Sequence, residues 1–565
     1  MKNVFLFILT YFISLNLYAQ VNYSWANGIG GNLADDARAV LKDAGGNVYV
    51  GGSFQGTVDF DPSPAAFIVT SAGSDDGYIA KYDASGNFLA VFTYTNNLSC
   101  KILGMAIDAN DDILATGAYS GQVDFDPGTG TDLLSAGASG TNIFILKLNA
   151  NGTHGWARNI GKTAVDDYGN AITTDAANNV IVTGYFQSTG VDFDPGVGIS
   201  TLSAVGNKET FVLKLNSAGL FTWAFSLAGN SHESGNSITV DALNNIFIGG
   251  YFMGYITLDP LGSTSSQVVC GALSDSYVAK YSSSGTYIWG KSYSGNFSAS
   301  VSGTCSSVQV DNSGNVYTLG SFKGVVDFDP AVPVYSISSA SSTKEDMYIC
   351  KLNNNGNLVW AKSIGGTGFD YGINFNLNNT SSLYVTGSFE GNVDFDPSAS
   401  TNNLVSNGLA DIYVANYDLN GNYISAFNVG GTGNDFGQSI IAFTTGVYCA
   451  GNYSSSCDFD PSVTTNTISS NGGIDMFLAK YSYPTTQISK KELNSHLSIY
   501  PNPSNGLVTL TTEETGVYKI INALGELVTE IKVSEGPTQL NLSHLSSGIY
   551  YLCYKHYSKI IIINN

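Results

Sequence analysis

Six pairs of aspartates stand two residues apart along the chain: Asp59/Asp61, Asp124/Asp126, Asp192/Asp194, Asp327/Asp329, Asp394/Asp396 and Asp458/Asp460. Hard oxygen donors at this density suit Ca²⁺. In an extended segment an i, i+2 spacing points both carboxylates to one side, where they could share an ion. A second chemistry competes with the first. Asp before Pro opens turns, and its carboxylate accepts hydrogen bonds from backbone N–H groups two residues on. Recurrence along the chain fits a folding requirement better than one active site. Turn capping is therefore the leading expectation, calcium the second and direct ligand contact the third.

Other chemistry is sparse. The five histidines (His154, His232, His496, His544, His556) are scattered without zinc spacing. No Gly-x-Ser-x-Gly elbow, phosphate-binding loop or Cys/His pair is present. No catalytic residue is assigned, and no cofactor beyond calcium.

The aspartates belong to a repeat. Segments of the Val58-Asp59-Phe60-Asp61-Pro62 type recur every 64 to 70 residues, ending at Pro62, Pro127, Pro195, Pro260, Pro330, Pro397 and Pro461. Each is preceded by a glycine and, two residues later, an aromatic, from Gly52/Phe54 to Gly451/Tyr453. Such a period marks a repeat architecture. Within it the strand signals keep one order: strand a (Met105-Ala106-Ile107-Asp108), a tight turn, strand b (Val316 to Gly320), the Asp-Phe-Asp-Pro segment, strand c (Tyr78 to Tyr82), a second turn and strand d. Four hairpin-linked strands make one blade, so the expectation is an all-β, seven-bladed β-propeller over residues 21–483.

The tryptophans set the phase. Trp156, Trp223, Trp289 and Trp360 each follow a strand c lysine by nine residues, whereas Trp25 has no strand c before it and the seventh repeat has no strand d. The N-terminal strand Tyr23 to Ala26 is expected to complete the seventh blade, closing two edges that would otherwise invite aggregation. Packing between blades is the favoured role of the tryptophans over sugar stacking.

Alternating strand direction places the b-to-c and d-to-a loops on one face. The paired aspartates collect there, with Asp36, Asp167, Asp370 and Asp435 before strand a and Asp76, Asp275, Asp346, Asp411 and Asp475 at strand c. Symmetry breaks at repeat four, which reads Thr257-Leu258-Asp259-Pro260, and at Ser298 to Ser302, where no acid occurs. A specific site is expected near these breaks.

Segments such as Gly365-Gly366-Thr367-Gly368-Phe369-Asp370, Val310-Asp311-Asn312-Ser313-Gly314-Asn315-Val316-Tyr317 and Thr386-Gly387-Ser388-Phe389 resemble the bacterial SBBP-type β-propeller repeat. The acidic Asp-Phe-Asp-Pro turn departs from that family's pattern. The resemblance implies a fold and no chemistry.

Composition sets further bounds. Charged residues are 12% of 565, about half the ~25% of an ordinary globular protein. The 64 glycines suit turn-rich β structure. A net charge of -22 argues against nucleic acid or anionic membrane as partner; cations or neutral polymers fit better. Lys2, the apolar run Val4 to Leu17 and Leu17-Tyr18-Ala19 form a signal peptide, residues 1–19, too short for a membrane span. Cys350, Cys449 and Cys457 stand where other repeats carry small apolar residues, the pattern of buried free thiols, with Cys449–Cys457 the pair to check for a disulfide.

After a linker at 484–497, residues 498–565 read as a small C-terminal β-sandwich. Tyr500-Pro501-Asn502-Pro503 with Gly506, Leu545-Ser546-Ser547-Gly548-Ile549-Tyr550 and Lys559-Ile560-Ile561-Ile562 resemble the C-terminal sorting domain of type IX secretion. The resemblance implies Bacteroidetes-type export, the type IX secretion machinery as partner, and removal of the tail with surface attachment or release. The functional expectation is a non-catalytic secreted or surface binding protein for a glycan or protein ligand. The alternatives are a glycan-active enzyme with a central site and a structural surface-layer component.

Overall fold

The computed structural model describes residues 22–162, 164–262, 266–271, 273–295, 301–329, 334–378, 382–482, 497–512, 515–522, 527–554 and 557–564. The expected signal peptide, residues 484–496 of the expected linker, Pro330, His556 and residues 298–300 lie outside them, His496 among the linker residues. The chain divides into two compact units, Met1–Pro484 and Thr485–Asn565.

In the first unit the described residues form seven sets of four antiparallel strands, each paired in the order a-b-c-d. Sheet one is Asp36–Lys42, Val48–Phe54, Asp76–Tyr82 and Phe88–Tyr94; sheet two is Cys100–Ile107, Ile113–Asp124, Leu133–Leu148 and His154–Ile160. Sheet three is Tyr168–Thr174, Val180–Phe186, Glu209–Leu215 and Phe221–Leu227; sheet four is Glu233–Val240, Ile246–Phe252, Asp275–Tyr281 and Tyr287–Gly295. Sheet five is Ser302–Val310, Val316–Lys323, Asp346–Leu352 and Leu358–Ile364; sheet six is Asp370–Asn378, Ser382–Asp394, Asn403–Asp418 and Tyr423–Gly431. Sheet seven combines Phe436–Phe443, Gly446–Asp458 and Thr467–Ser482 with the N-terminal strand Asn22–Gly31, which pairs antiparallel to Thr467–Ser482. Trp25 faces Lys480 in that pairing, the register in which Trp156 faces Lys147, Trp223 faces Lys214, Trp289 faces Lys280 and Trp360 faces Lys351.

The apolar core lies between sheets rather than within them. Ile29, Met476 and Leu478 of sheet seven pack with Val40, Val50 and Tyr78 of sheet one, and a comparable cluster fills each of the other six seams. Every seam also carries one backbone hydrogen bond of the same kind, an N–H at or next to the start of strand a donating to a carbonyl in or just before strand c of the preceding sheet. Asp35 donates to Ile474 (2.7 Å), Cys100 to Asp75 (2.8 Å), Asp167 to Thr141 (3.0 Å) and Glu233 to Lys208 (3.1 Å). Gly303 donates to Ser274, Asp370 to Glu345 and Asp435 to Ala410, all at 2.8 Å. The first of these joins sheet seven to sheet one, so the chain of contacts returns to its start. Gly30 and Gly31 reinforce the same seam by pairing with Asp59 and Val58.

Strand a carries a register shift in every sheet, with one extra residue at Arg38, Leu103, Asn170, Asn236, Ser306, Ile373 or Gln438. Such a bulge bends the strand locally. It also explains the repeated glycine of strand b: a Cβ on Gly52, Gly117, Gly184, Gly250, Gly320, Gly387 or Gly451 would collide with a strand a carbonyl.

The second unit has two sheets over one core. Leu497–Tyr500, Leu507–Thr512 and Gly536–Asn541 form one; Leu527–Val533, Gly516–Asn522, Gly548–Tyr554 and Tyr557–Ile563 form the other. Val508, Leu510, Ile520, Leu552, Ile561 and Ile563 are buried between them.

Candidate functional site

The repeated aspartates sit where strand b runs on into a short ribbon that turns back to strand c. In all six acidic copies the first carboxylate accepts two backbone N–H groups, from residues two and eight positions on. Asp59 Oδ1 takes Asp61 N (3.1 Å) and Phe67 N (2.8 Å). Asp124 takes Asp126 and Asp132, and Asp192 takes Asp194 and Ser200. Asp327 takes Asp329 and Tyr335, Asp394 takes Asp396 and Asn402, and Asp458 takes Asp460 and Asn466. The second carboxylate caps the next turn: Asp61 accepts Ser63 N, Asp126 accepts Gly128 N, Asp194 accepts Gly196 N, Asp396 accepts Ser398 N and Asp460 accepts Ser462 N. The phenylalanine between them is fully buried in each copy. It meets the aromatic that ends strand b edge-on, as in Phe54–Phe60 (5.4 Å, 87°) and Phe389–Phe395 (5.4 Å, 87°). Glycine, aromatic and Asp-Phe-Asp-Pro therefore recur together because they are one packed corner. Among the described residues no group of three or more His, Cys, Asp or Glu side chains could hold a metal ion.

The acids grouped by sequence as loop-face residues separate in the structure. Asp35, not Asp36, holds the place corresponding to Asp167, Glu233, Asp370 and Asp435: buried at a seam and directly before or at the start of strand a. Asp36 lies one residue further, where it accepts from Arg38 Nε and from Asn452 Nδ2 (2.6 Å). Asp76, Glu209, Asp275, Asp346, Asp411 and Asp475, at strand c, are also buried in seams rather than presented on loops. Burial is the main cause that lifts these carboxyls: Glu233 to about 8, Asp35 and Asp370 to about 7, and Asp167, Asp346, Asp411, Asp435 and Asp475 to about 6. Backbone N–H donors offset part of that rise. Asp35 and Glu233 stand 17 residues before the repeated glycines Gly52 and Gly250, the spacing of Asp167 before Gly184 and Asp370 before Gly387, so counting back from that glycine is the sequence signal that finds them.

Strand a of all seven sheets lines one polar channel of about 460 Å³. The bulge residues Arg38, Leu103, Asn170, Asn236, Ser306, Ile373 and Gln438 all face it, and Arg38 is the sole charged residue among the described lining residues. Small polar side chains on strand a satisfy the neighbouring strand's N–H groups: Ser439 Oγ accepts Val40 N (3.1 Å), Ser237 Oγ accepts Val308 N (3.0 Å) and Asn374 Oδ1 accepts Ile440 N (3.2 Å).

At the end where strands a begin, the repeat is broken by aromatics. The strand b residues paired near the start of strand a are Ser53, Ala118, Ser321, Ser388 and Asn452 in five sheets, but Tyr185 and Tyr251 in sheets three and four. Tyr185 stacks on Tyr168 (5.2 Å, 17°), and Lys208 Nζ lies 4.0 Å from the Tyr185 ring centre. These residues are half-buried, with His232 bridged to Lys208 alongside. Burial raises both Tyr185 and Tyr251, with neighbouring acids adding to the effect. Tyr185 and Tyr251 are a different departure from the repeat than Thr257-Leu258-Asp259-Pro260 and Ser298 to Ser302, near which a site was expected.

The tryptophans pack across seams. Trp25, Trp156, Trp223, Trp289 and Trp360 each cover the glycine of the next sheet's c-to-d turn: Gly86, Gly219, Gly285, Gly356 and Gly421. None of the seven cysteines forms a disulfide, and burial pushes Cys305, Cys350 and Cys449 up to about 12. In the tail, Asn502 Nδ2 donates to Ile560 O (2.7 Å) and Asn502 Oδ1 accepts Ile562 N (2.8 Å), which ties the Tyr-Pro-Asn-Pro segment to the last strand.

Residues 498–563 match the family described as the secretion system C-terminal sorting domain. An uncharacterized WD repeat-containing protein of Acanthamoeba polyphaga mimivirus is 23% identical over 471 residues, covering 71% of this chain; the chain spans about a third (34%) of that relative's length. Among solved structures, Sqt1 from Chaetomium thermophilum is similar at 10% identity and TM-score 0.36, over 76% of this chain and 97% of that one. PorZ of Porphyromonas gingivalis, titled an essential bacterial surface component of the type-IX secretion system, is similar at 12% identity and TM-score 0.23, over 95% of this chain and 100% of that one. The sorting domain marks the protein as secreted or attached to the cell surface through the type IX machinery. No helix among the described residues is long and apolar enough to cross a membrane.

Proposed function

We propose that the first unit is a seven-bladed β-propeller of the SBBP type, closed by the N-terminal strand, and that it acts outside the cell as a non-catalytic binding protein for a saccharide. The repeated seam contacts, returning from sheet seven to sheet one, support the closed propeller. The signal peptide at 1–19 and the sorting domain at 498–565 give the export route. In this reading the repeated aspartates are turn clamps, and calcium has no part.

One observation carries the binding assignment: the Tyr168/Tyr185/Tyr251 cluster with Lys208 in sheets three and four. Nothing in the blade requires tyrosine there, since five other sheets pair without one at the strand b position. Half-exposed tyrosines offer flat apolar faces with hydroxyls at the tip, suited to the C–H face of a pyranose. Lys208 adds a donor for sugar hydroxyls, and the net charge of -22 disfavours a polyanion. The described channel lining contains neither acid nor histidine, which supports binding over glycoside hydrolysis, a chemistry that needs two facing carboxyl groups.

The test is a glycan array probed with the mature chain and with Tyr185→Ala. Saccharide binding by the wild type and loss of signal in a variant of unchanged Tm support the assignment; equal signals from the two proteins contradict it.

A further inference from the structure

Four of the seven seams place two carboxyl groups together. Asp346 meets Asp370 between sheets five and six, Asp411 meets Asp435 between six and seven, Asp475 meets Asp35 between seven and one, and Glu209 meets Glu233 between three and four. In each case the backbone N–H of the strand a acid donates to the carbonyl of the residue directly before the strand c acid, so the two acids are neighbours across the seam. The two members differ in a repeated way. Asp35 accepts backbone N–H groups on both oxygens, from Gly31 (2.7 Å) and Gln55 (3.0 Å), and Asp370 and Asp435 do the same. Their partners each keep one buried oxygen without a donor: Asp475 Oδ1, Asp346 Oδ1 and Asp411 Oδ1. In the fourth pair the orphan is Glu233 Oε2. The residues bearing these oxygens are 0–2% exposed.

The other three seams carry a single carboxylate: Asp76 with Cys100, Asp167 with Asn142, and Asp275 with Gly303. A neutral residue stands where the second acid would be. Among the described residues none of these eight carboxyls forms an ion pair with a lysine, arginine or histidine. The titratable groups facing them are Glu390, Tyr371 and Tyr413 at the Asp370 seam, Cys457 and Tyr453 at the Asp435 seam, Tyr453 and Tyr78 at the seam of Asp475 and Asp35, and Tyr251 and Tyr277 at the Glu233 seam, where Lys208 and His232 are the chain neighbours of Glu209 and Glu233.

We propose that each of these four seams is a proton-binding site, in which one carboxyl is neutral and donates its O–H to the carboxylate across the seam. The proton gives the orphan oxygen a partner and leaves one negative charge per seam, as in the three seams built with a neutral residue. Two buried like charges without a cation cannot both ionise cheaply, and the pair titrates as a unit. Burial is the first cause that lifts these carboxyls, as it also lifts the single Asp167, and the charge of the facing acid adds to the rise at Asp35, Glu233, Asp370 and Asp435. The folded chain then holds protons that the unfolded chain, titrating near 4, releases. Stability from these seams is complete below about pH 4 and declines as pH rises through about 6 to 8, so closure of the sheets weakens toward alkaline pH.

The test is the Tm of the mature chain at about pH 5.5 and about pH 8.5, for wild type and for Asp346→Asn, Asp411→Asn and Asp475→Asn, whose amides are permanent neutral donors. The expected result is a wild-type Tm that falls by several degrees between the two values, and a smaller fall in each variant. A wild-type Tm that does not fall, or variants lowered equally at both pH values, would overturn the proposal. If the variants fail to fold, the wild-type infrared spectrum at neutral pH decides: a neutral carboxyl C=O band is expected, and its absence refutes proton sharing. A Tm at the higher pH that rises on adding Ca²⁺ in wild type but not in the variants would assign the seams to a cation instead.

Discussion

The indole of Trp25 lies against the backbone of Gly86, so close that a Cβ on Gly86 would stand 3.0 Å from three ring atoms, and its Nε1–H donates to Ala84 O at 3.4 Å. These residues are 61 positions apart and belong to the last and first sheets of the circuit. The same contact joins Trp156 to Gly219, where Nε1–H donates to Ser217 O at 3.2 Å. The N-terminal strand is thus held by the device that holds the interior seams.

Trp25→Ala should destabilise the first unit by about 2 kcal/mol, less than the 3–5 of a fully buried tryptophan because this ring is half-exposed. Chemical denaturation of Trp25→Ala beside Trp223→Ala checks this. Comparable losses are expected; no loss in Trp25→Ala alone would mean that the N-terminal strand is not integral.

The first aspartate of each corner acts as an acceptor and not as a charge. Asp394→Asn keeps an oxygen for Asp396 N and Asn402 N and should be nearly neutral, whereas Asp394→Ala strands two N–H groups and should cost about 1–3 kcal/mol. Thermal melts in EDTA and in millimolar Ca²⁺ should coincide for all three proteins; a calcium-dependent rise lost in Asp394→Asn would restore these aspartates as metal ligands.

The five buried thiols Cys100, Cys305, Cys350, Cys449 and Cys457 should resist an aromatic disulfide reagent at mildly alkaline pH in the folded protein, because burial keeps them protonated. Cys270 and Cys553, partly exposed, should react first. Thiol counting before and after denaturation checks this; fast reaction of Cys449 or Cys457 would contradict the packed seam between sheets six and seven.

In the tail, Asn502→Ala removes both side-chain bonds to the last strand and should cost about 1–2 kcal/mol. Proteolysis of the full chain reads this out as faster cleavage within residues 498–563, with the first unit unaffected. Equal cleavage rates would deny Asn502 its clamping role.

Much of this was legible in the sequence because the repeat is written in side chains that cannot be exchanged. The strand b glycine lies under a bulge, the aromatic two residues later meets the corner phenylalanine, and the corner aspartate gathers two N–H groups. Each of these needs one residue type at one spacing. The tryptophan register even located the missing seventh strand d. The bulge itself was not legible, since an extra residue in strand a leaves no mark on composition. Asp36 stood in for Asp35 although Asp35 keeps the 17-residue spacing to Gly52 that Asp167 keeps to Gly184, and the seam partners of Asp346, Asp411 and Asp475 stayed hidden because each pair is drawn from different repeats. Tyr185 and Tyr251 stand between the repeated glycine and aromatic, where the other repeats carry Ser53, Ala118, Ser321, Ser388 and Asn452, so the departure is written in the sequence; their grouping with Tyr168 and Lys208 is not, because strand pairing makes it.

The channel lined by strand a of all seven sheets and the seam of Asp475 with Asp35 depend on the N-terminal strand closing the circuit of sheets. Hydrogen exchange of the amides in Ala26–Ile29, measured on the mature chain, tests this most directly. The account predicts protection equal to that of the interior strand d amides at Ala224–Leu227, because both lie in paired strands between packed sheets. Exchange of Ala26–Ile29 at the rate of an unpaired segment, with Ala224–Leu227 protected, would contradict it.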